Sequence, residues 1–392
     1  MSQTLTGIVG IGGAAGQKMH LPVLRQMKDV KVVDGFDVVS NFPGYEGLKG
    51  DGIRLFFETT DEYLRTSEAK IIHICTPSGW HASNAIAAAK AGKAVIIEKP
   101  IGIDLESIDK LIETRDKTRM WMSGWFQNRS SNHMALLHQA ISHGHLGDIE
   151  IIKMSTPWFR PKSYFFSDKA CTQRNWKGTY LKKDGGLLAD GGGALMNQAI
   201  HYVDFVTWLL DAAGQRVMAV EGGVAQQILH PYIEAEDTAY AKLIIGRDKK
   251  VLGHGSIEAH TTQYCGKDRE RPQTLEIIGT KGYVYVEDGE VISARLNGRK
   301  SQEYFGRTSG AGGGGTDPAN ISLPIHLAHM KEAYEAFRTG KAPPVSLESA
   351  RKSVELILAA YLSAKKGGKN VTLPLNKPYF IPDATVIQDK LV

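Results

Sequence analysis

Two segments of the chain combine residue types that can transfer protons. Residues 94–100 form an apolar, strand-forming run that ends in Glu98 and Lys99, and the carboxyl edge of a parallel sheet is where strand ends present side chains to a ligand. Three glycines precede Asn197 and His201, which stand four positions apart and therefore share one face of a helix. We expect Lys99 and His201 to meet over one substrate as proton-transfer groups.

A glycine-rich turn near the amino terminus predicts a dinucleotide site. Gly10, Gly12 and Ala15 fit the G-x-G-x-x-A pattern between an apolar strand and a helix, where glycines permit close approach of the backbone to a pyrophosphate. A second strand, residues 30–36, delivers Asp37 at the spacing expected of a carboxylate that binds the ribose. No arginine follows Asp37, which favours NAD over NADP. The alternative is a glycine turn that only joins a strand to a helix.

Composition limits the class of protein. A chain of 392 residues exceeds the usual size of a single core, so two domains are expected. The net charge of +5 is spread over isolated basic pairs, which argues against a nucleic-acid partner. Three cysteines without metal-ligand spacing indicate a reducing compartment and neither a disulfide framework nor a metal site. Without a signal peptide or an apolar run of membrane-spanning length, we expect a cytoplasmic protein with no membrane partner.

The hydrophobic pattern predicts an α/β protein with two kinds of sheet. Up to about residue 120, strands and helices alternate, as in a doubly wound parallel sheet; residues 70–75 and 94–97 are strands on either side of a helix over residues 81–91. From Gly147 onward, glycine turns separate longer strand-like stretches, which predict a large, mostly antiparallel open sheet. These stretches are residues 149–157, 217–228, 237–245, 251–261 and 274–286.

Domain boundaries follow from this change of pattern. We predict a dinucleotide-binding domain over residues 1–125 and an α+β domain for substrate binding and oligomerisation over residues 126–392. A helix over residues 346–366, capped by Ser346 and stopped by Gly367, is a candidate to pack back toward the first domain. Residues 309–316 are rich in glycine but lack the ending of a phosphate loop, which predicts a surface loop, with a lid over the site as the functional alternative.

Several motifs occur together in an order that resembles one enzyme family. The chain resembles the glucose-fructose oxidoreductase, inositol dehydrogenase and rhizopine catabolism (Gfo/Idh/MocA) family over roughly residues 5–375. Residues 176–179, Trp-Lys-Gly-Thr, are similar to the Trp-Arg-Gly-Thr of its UDP-N-acetylhexosaminuronate 3-dehydrogenase branch. The family motifs are Gly10-x-Gly12-Gly13, Thr76-Pro77-x-x-x-His81, Glu98-Lys99-Pro100, Gln127-Asn128-Arg129, Leu146-Gly147-Asp148-Ile149 and Gly191-Gly192-Gly193-x-x-x-Asn197-x-x-x-His201-x-x-Asp204.

The resemblance implies roles for the residues that can transfer protons. Lys99 would bind the substrate hydroxyl and help to position the nicotinamide, and Glu98 would orient Lys99; the alternative is a surface ion pair. His201 would be the general base, since imidazole titrates near neutral pH; the alternative is a histidine paired with Asp204. Asn197 stands where many family members carry aspartate, and an amide can orient a substrate but cannot exchange a proton.

The remaining site residues are also implied by the resemblance. Arg129 is as compatible with a buried ion pair as with substrate. The expected cofactor-binding residues are Gly10, Gly12, Gly13, Ala15, Asp37, Thr76, Pro77, His81, Glu98, Lys99 and Gln127. The expected substrate-binding residues are Lys99, Asn128, Arg129, Arg160, Tyr164, Asn197 and His201.

These expectations describe an NAD-dependent oxidoreductase that acts on a secondary hydroxyl of a sugar, a cyclitol or a sugar derivative. One alternative is a glycosidase or epimerase that oxidises its substrate transiently with tightly held NAD. Another is a non-catalytic regulator that binds a dinucleotide, although such a protein needs neither Lys99 nor His201. An open sheet usually buries its uncovered face, so a homodimer or homotetramer through the second domain is expected.

Overall fold

Two separate stretches of the chain build each of the two units of the protein. In the computed structural model, which describes residues 3–180, 188–261, 271–305 and 323–387, unit 1 comprises residues 1–127 and 323–351, and unit 2 comprises residues 128–322 and 352–392. The sequence-based division placed the boundary at residues 125 and 126 and assigned all later residues to the second domain. The glycine-rich residues 309–316 lie outside the described ranges.

Unit 1 contains a parallel sheet. Within the described residues it has six strands in the order β3-β2-β1-β4-β5-β6, and every neighbouring pair is parallel. The strands are β1 (Thr4–Val9), β2 (Val30–Phe36), β3 (Arg54–Phe56), β4 (Ile71–Ile74), β5 (Ala94–Ile97) and β6 (Met122–Gly124). The order reverses between β1 and β4, the position at which doubly wound sheets bind ligands beyond their carboxyl ends. The predicted doubly wound sheet is confirmed.

Helices cover this sheet, so its central strands can be apolar throughout. All residues of β4 and β5 are buried, as expected of strands with both faces covered. The helices are α1 (Leu21–Leu24), α2 (Tyr45–Gly50), α3 (Thr60–Thr66), α4 (His81–Lys90) and α5 (Leu105–Thr118), with α9 (Leu323–Arg338) from the second stretch; a π-helical turn, Gly16–His20, precedes α1. From α9, Met330, Ala333 and Tyr334 join the core that contains Ile8 and Ile71.

Unit 2 contains a mixed sheet that is mostly antiparallel. Its described residues form nine strands in the order β14-β13-β12-β11-β7-β10-β9-β8-β15, in which only β7 and β10 pair in parallel. The strands are β7 (Ile149–Pro157), β8 (Arg216–Gln226), β9 (Thr238–Arg247), β10 (Lys250–His260), β11 (Thr274–Gly279), β12 (Gly282–Glu287), β13 (Glu290–Leu296), β14 (Arg299–Lys300) and β15 (Val371–Thr372). The predicted antiparallel character is confirmed.

One predicted strand is in fact a hairpin. Residues 274–286 were expected to form a single strand, but they fold into β11 and β12, which pair in antiparallel register. After the turn, Gly282 lies close against β13, where a Cβ would stand 1.8 Å from the carbonyl oxygen of Arg295. A periodic apolar pattern does not show where such a reversal occurs.

The helices of unit 2 include the one that carries the predicted base. They are α6 (Asn132–Ser142), α7 (Ile200–Ala212) and α8 (Ser301–Phe305), and a π-helical segment, Ala194–Ala199, leads directly into α7. Helix α10 (Leu347–Lys365) begins in unit 1 and continues in unit 2. Its predicted amino cap is confirmed, because the hydroxyl of Ser346 accepts a hydrogen bond from the backbone nitrogen of Ser349 at 3.2 Å.

Membrane-spanning helices and metal clusters are both absent from the described residues. These residues contain no helix that is long and apolar enough to cross a membrane. They also contain no group of three or more His, Cys, Asp or Glu side chains arranged to hold a metal ion.

Candidate functional site

The glycine turn after β1 is shaped by contacts that exclude side chains. Gly10 has a φ of +85°, and a Cβ there would lie 2.7 Å from the backbone carbonyl group of Cys75. A Cβ on Gly12 would lie 2.7 Å from the ring of Phe42, and one on Gly16 would lie 2.7 Å from the carbonyl oxygen of Gly10. The turn can therefore pack this tightly only because these positions lack side chains, and such a tight glycine turn is what a pyrophosphate site uses.

Asp37 is fixed beside this turn at the end of β2. Its Oδ2 accepts a hydrogen bond from the backbone nitrogen of Gly12 at 2.8 Å, and its Oδ1 accepts one from Val39 at 3.1 Å. Val38 and Val39 are 79% and 52% exposed. A carboxylate held by two backbone donors keeps lone pairs that can accept hydrogen bonds from ribose hydroxyls.

The loops after β4 and β5 are joined by a histidine. His81 is buried at the start of α4; its Nδ1 lies 2.6 Å from the carbonyl oxygen of Pro100 and its Nε2 lies 2.7 Å from that of Thr76. Burial lowers the pKa of His81, against the two carbonyl contacts, which raise it. His81 therefore links the Thr76-Pro77 turn to the loop after Lys99, and a direct contact with cofactor stays a prediction.

Glu98 and Lys99 follow β5 at the same edge of the sheet as the glycine turn. The backbone nitrogen of Glu98 still bonds to Ile74, and the side chain of Glu98 is buried. Its Oε2 accepts a hydrogen bond from the backbone nitrogen of Lys99 at 3.0 Å, and its Oε1 lies 2.9 Å from Nε2 of His20. A buried carboxylate thus fixes the backbone from which the half-buried Lys99 extends. The alternative of a surface ion pair does not describe Glu98.

The residues of unit 1 fit a bound dinucleotide. The tight turn at Gly10 and Gly12 leaves no room for a Cβ at either position, and Asp37 lies beside it. Oε1 of Gln127 is buried and has no hydrogen-bond partner among the described residues, so it can accept a hydrogen bond from an amide group of a ligand. Gly13 donates its backbone N–H to Gly10 at 3.1 Å, and Ala15 packs against the core.

In unit 2, a buried carboxylate holds the last of the three glycines that precede Asn197. Glu236 accepts hydrogen bonds at its side chain from the backbone nitrogens of Gly193 and Leu195, at 3.1 and 3.0 Å. The hydroxyls of Tyr180 and Tyr361 donate to the same carboxylate at 3.0 and 2.7 Å. A Cβ on Gly193 would lie 1.7 Å from the carbonyl oxygen of Glu236. Gly193 is therefore required for packing against Glu236, directly before the π-helical segment.

Asn197 lies between an acid and a tyrosine. Its Nδ2 donates to both carboxylate oxygens of Asp190, at 2.7 and 2.6 Å, and its Oδ1 accepts a hydrogen bond from the hydroxyl of Tyr164 at 3.1 Å. Asp190 is buried and also accepts from the backbone nitrogen of Gly178. Burial raises the pKa of Tyr164. The site therefore contains an acid beside Asn197, although residue 197 itself is an amide.

Cationic side chains pack on Tyr164. The guanidinium of Arg160 lies 4.8 Å from the centre of the Tyr164 ring and 4.3 Å from that of Trp158, and Nζ of Lys177 lies 3.9 Å from the Tyr164 ring. Arg160 is buried. The structure thus brings together Arg160, Tyr164 and Asn197, which the sequence proposed separately.

Arg129 forms a buried ion pair with Asp204. Its Nε and one terminal nitrogen each lie 2.6 Å from the carboxylate, which also accepts from the hydroxyl of Ser353 at 3.1 Å. Arg129 therefore forms the buried ion pair that was one of its two predicted roles. Asp204, the alternative partner considered for His201, binds Arg129 instead. His201 is buried at the start of α7. Asn128 lies in the 3-10 turn Gln127–Ser130 and is half-buried.

Sequence reasoning missed Asp190, Glu236 and His20. Asp190 directly precedes the glycine triplet, a position that could have suggested a role. Glu236 is separated from Gly193 by 43 positions, and no local pattern links them. Lys99 belongs to unit 1 and His201 to unit 2, so their meeting over one substrate stays a prediction.

Family models match both parts of the chain. Residues 5–123 match the oxidoreductase family with an NAD-binding Rossmann fold, and residues 134–285 match the Gfo/Idh/MocA C-terminal domain. The chain belongs to the Gfo/Idh/MocA family of oxidoreductases. Unit 1 carries its NAD-binding domain.

Individual relatives are distant but cover nearly the whole chain. A scyllo-inositol 2-dehydrogenase (NADP(+)), IolW of Bacillus subtilis, is 24% identical over 92% of this chain and 93% of its own length. The WlbA dehydrogenase of Bordetella pertussis, solved in complex with NADH and UDP-GlcNAcA, is 25% identical with a TM-score of 0.76 and covers 95% of this chain and 100% of its own. A scyllo-inositol dehydrogenase of Lactobacillus casei shares the fold, with a TM-score of 0.71 at 20% identity over 95% of this chain and 99% of its own.

Proposed function

We propose that this protein is an NAD-dependent dehydrogenase that oxidises a secondary hydroxyl of a sugar, a cyclitol or a sugar derivative. The observation that carries the proposal is the placement of Lys99, held by buried Glu98, at the same sheet edge as the glycine turn and Asp37. A primary amine at that edge is suited to bind a hydroxyl beside the nicotinamide. A module that only binds a dinucleotide has no use for it.

Different side chains bind the substrate and accept its proton. Lys99 binds the reacting hydroxyl as a hydrogen-bond donor, and His201 takes the hydroxyl proton. Asn197, oriented by Asp190 and Tyr164, binds the substrate without exchanging a proton. Bound NAD supplies the hydride acceptor. Arg160 contributes a positive charge beside Tyr164.

The relatives and the side chains of unit 2 support a polar, hydroxyl-rich substrate. The WlbA structure contains an acidic UDP-sugar, and IolW acts on an inositol. Arg160 and Lys177, both over Tyr164, would favour an acidic sugar derivative over a neutral polyol. Both classes therefore belong in the substrate test.

The test is a spectrophotometric screen for NADH formation. Inositols, free aldoses, hexuronic acids and UDP-sugars are each supplied with NAD, and one class is expected to give turnover. The same screen with Lys99→Ala should lose that signal, whereas Lys93→Ala, which removes a lysine that bonds to the backbone of Ser67, should retain it. Tight NAD that survives purification, with no NADH released from any substrate, would contradict a released-cofactor dehydrogenase and favour transient oxidation.

We also infer the assembly and the location of the protein. One face of the sheet in unit 2 exposes large side chains such as Tyr283 and Ile292, each 46% exposed, and we infer that this face joins copies of the chain in a homodimer or homotetramer. Light scattering that gives the mass of one chain would contradict this. Cys75 and Cys171 are free cysteines, which agrees with a location in the cytoplasm; Cys265 lies outside the described residues.

A further inference from the structure

A chain of hydrogen bonds runs through the core of unit 1 behind Glu98. Oε1 of Glu98 lies 2.9 Å from Nε2 of His20, and the Nδ1 atoms of His20 and His73 lie 2.8 Å apart. The next hydrogen bond in this series joins Nε2 of His73 to the hydroxyl of Tyr334 at 3.0 Å. We call the four fully buried side chains of His20, His73, Tyr334 and Thr6 the buried network.

Both ends of the buried network are acceptors. The hydroxyls of Tyr334 and Thr6 lie 2.6 Å apart, and the hydroxyl of Thr6 lies 3.0 Å from the carbonyl oxygen of Ile71. At the other end stands the carboxylate of Glu98. Neither the carboxylate nor the carbonyl oxygen brings a proton to the network.

The buried network has one more contact than it has protons. Its four neutral side chains each carry one proton, whereas the contacts from Glu98 to Ile71 number five, and each contact needs one proton between its two atoms. Four protons leave one contact empty. The contact between Thr6 and Ile71 is the least costly to leave empty, because a ring nitrogen without a proton that faces another such nitrogen would be repelled.

A fifth proton fits without displacement of any heavy atom. With four protons, His20 donates to Glu98, and its Nδ1 accepts a hydrogen bond from Nδ1 of His73. When Nδ1 of His20 takes up a proton, Nδ1 of His73 accepts a hydrogen bond from it. Nε2 of His73 then donates to the hydroxyl of Tyr334. The hydroxyl of Tyr334 in turn donates to Thr6, and that of Thr6 donates to the carbonyl oxygen of Ile71. All five contacts are then filled. His73 thereby changes from its Nδ1–H to its Nε2–H tautomer while it stays neutral.

With all five contacts filled, both ring nitrogens of His20 carry a proton, one toward Glu98 and one toward His73. Burial lowers the pKa of His73 well below its usual range, and the charge of His20 lowers it further. Burial alone would raise the pKa of Glu98, but the hydrogen bond and charge of His20, followed by the charge of Lys99, outweigh it and lower this pKa to about 2. When His20 is charged, a carboxylate therefore faces it, and His73 remains neutral.

Other titratable groups also face the network. Burial lowers the pKa of His326 to about 4, and burial raises the pKa of the Cys75 thiol. The indole of Trp125 separates His20 from His329, with ring centres 4.7 Å from each. The titratable and charged groups around the network are Lys99, His81, Cys75 and His326 near Glu98, His329 across Trp125, and Arg338 and Asp29 near Tyr334.

We propose that His20 and His73 are positioning residues for the Glu98–Lys99 turn, and that the buried network takes up one proton within the pH range over which the protein stays folded. Uptake changes the net charge behind Lys99 from negative to neutral without moving the turn. The effect on turnover rests on the proposed dehydrogenase function, but the proton uptake itself does not.

The first test follows the tautomer of His73 by NMR. Protein labelled with 15N in histidine is titrated with acid, and His73 is identified by its loss in His73→Gln. We expect the ring nitrogens of His73 to exchange their protonated and unprotonated signals at one pH midpoint while the ring stays neutral. A single His73 tautomer at every pH at which the protein is folded overturns the proposal.

Two variants should shift the pH midpoint of the His73 tautomer change, because each changes the number of hydrogen bonds gained on proton uptake. In the native protein the fifth proton raises the filled contacts from four to five, whereas in Tyr334→Phe the remaining contacts are three in both states. The same holds for Thr6→Val, which keeps the shape of the side chain and serves if Tyr334→Phe does not fold. In each variant, proton uptake no longer gains a hydrogen bond, and this loss should lower the midpoint of the His73 tautomer change by about one pH unit. An unchanged midpoint in a folded variant overturns the proposal.

A matched control and a kinetic measurement separate the two parts of the proposal. Tyr63→Phe also removes a buried hydroxyl from a buried carboxylate, Asp34, and should leave the His73 midpoint unchanged. The acidic limb of kcat against pH should move with the NMR midpoint in Thr6→Val, with KM for NAD unchanged. A tautomer change with no turnover on any sugar contradicts the proposed function and supports the network. A shifted tautomer midpoint with an unshifted kcat profile shows that the network does not position Lys99 for catalysis.

Discussion

Asn197 and Asp190 show how one side chain sets the chemistry of its neighbour. The amide of Asn197 donates to both oxygens of Asp190, so Asn197→Asp would place two carboxylates in hydrogen-bond contact. One of them would retain a proton, because like charges so close raise the pKa of one acid strongly. We expect Asn197→Asp to remain active with an acidic limb of kcat against pH displaced toward higher pH.

The exchange of the two residues is the control for this prediction. Asp190→Asn combined with Asn197→Asp restores one acid and one amide, and its pH profile should return toward that of the native protein. If Asn197→Asp alone leaves the profile unchanged in a folded protein that binds NAD, residue 197 does not face the reacting groups.

Lys99 and His201 are expected to act in the chemical step. Lys99→Ala and His201→Ala should each lower kcat by roughly 10² or more, with NAD affinity within a few fold of native, because general acid-base groups contribute about that much. His138→Asn, which removes a ring stacked on Trp208, is the control for His201. Near-native kcat in either variant on the true substrate would remove that residue from the mechanism.

Asp37 should decide the choice of cofactor. Its carboxylate is held by the backbone of Gly12 and Val39, so it cannot turn away from a 2′-phosphate without loss of these bonds. We expect NAD to bind at least ten-fold more tightly than NADP, and Asp37→Ser to reduce the difference. Titration of both cofactors measures this, and equal affinities for the native protein would contradict it.

The sequence reveals residues whose partners are their neighbours along the chain. Gly10, Gly12, Asp37 and Lys99 lie within three residues of a strand end, so motif and spacing predict their places in the fold, and their roles stay predictions. Glu236 was not found, because the need for a carboxylate arises only when its loop folds against glycines far away in the sequence. Packing between distant segments carries that information, and local periodicity does not.

Among the elements, the π-helical segment before α7 depends on Glu236 and on the absence of side chains at the glycines. Gly193→Ala would place a Cβ 1.7 Å from the carbonyl oxygen of Glu236, and the backbone must shift to admit it. We expect a loss of about 2–3 kcal/mol in the free energy of unfolding. Gly47→Ala, at a helical position with open space around the new Cβ, should be neutral or stabilising; equal effects in a denaturation experiment would refute the packing argument.

Glu236 should also make stability depend on pH. Burial raises its pKa from 4.5 to about 7, so between these values the folded protein holds a proton that the unfolded chain releases. Stability therefore falls as the pH rises through this window, by about 3 kcal/mol for this group. Denaturation of Glu236→Gln across the same window should show a shallower decline than the native protein, and parallel curves would disprove the assignment.

The long elements were predicted well, and the reversals within them were not. Strands β2, β5 and β7 have their predicted bounds because turn residues or charges end each apolar run. Residues 274–286 were predicted as one strand, although Gly279-Thr280-Lys281-Gly282 interrupts the apolar alternation. The buried positions change phase across this turn, from Leu275 and Ile277 to Val284 and Val286. Alternation reports burial of one face, not the direction of the chain.

For the molecule as a whole, unit 1 depends on its second stretch. Tyr334 bonds to Thr6, Arg338 bonds to Thr4 at 3.1 Å, and the backbone nitrogen of Gly124 bonds to Val345 at 3.0 Å. We expect a fragment of residues 1–127 to melt at a lower temperature than one in which a flexible linker joins it to residues 323–351. Circular dichroism measures this, and equal melting temperatures would contradict the structural role of the second stretch. Composition alone could not predict this return of the chain, because helix α9 resembles any other amphipathic helix.

The interleaving of the two units has a consequence for synthesis on the ribosome. Residues 323–351, which complete the NAD-binding unit, are translated after residues 128–322, and unit 2 in turn needs residues 352–392. Unit 1 lacks part of its chain until residue 351 has been translated, so the usual order, in which an amino-terminal domain folds before the next is made, does not apply to this protein. A nascent chain that stops before residue 323 carries the complete glycine turn and Lys99, but its core lacks Met330, Ala333 and Tyr334 and exposes apolar surface to the chaperones that meet emerging chains.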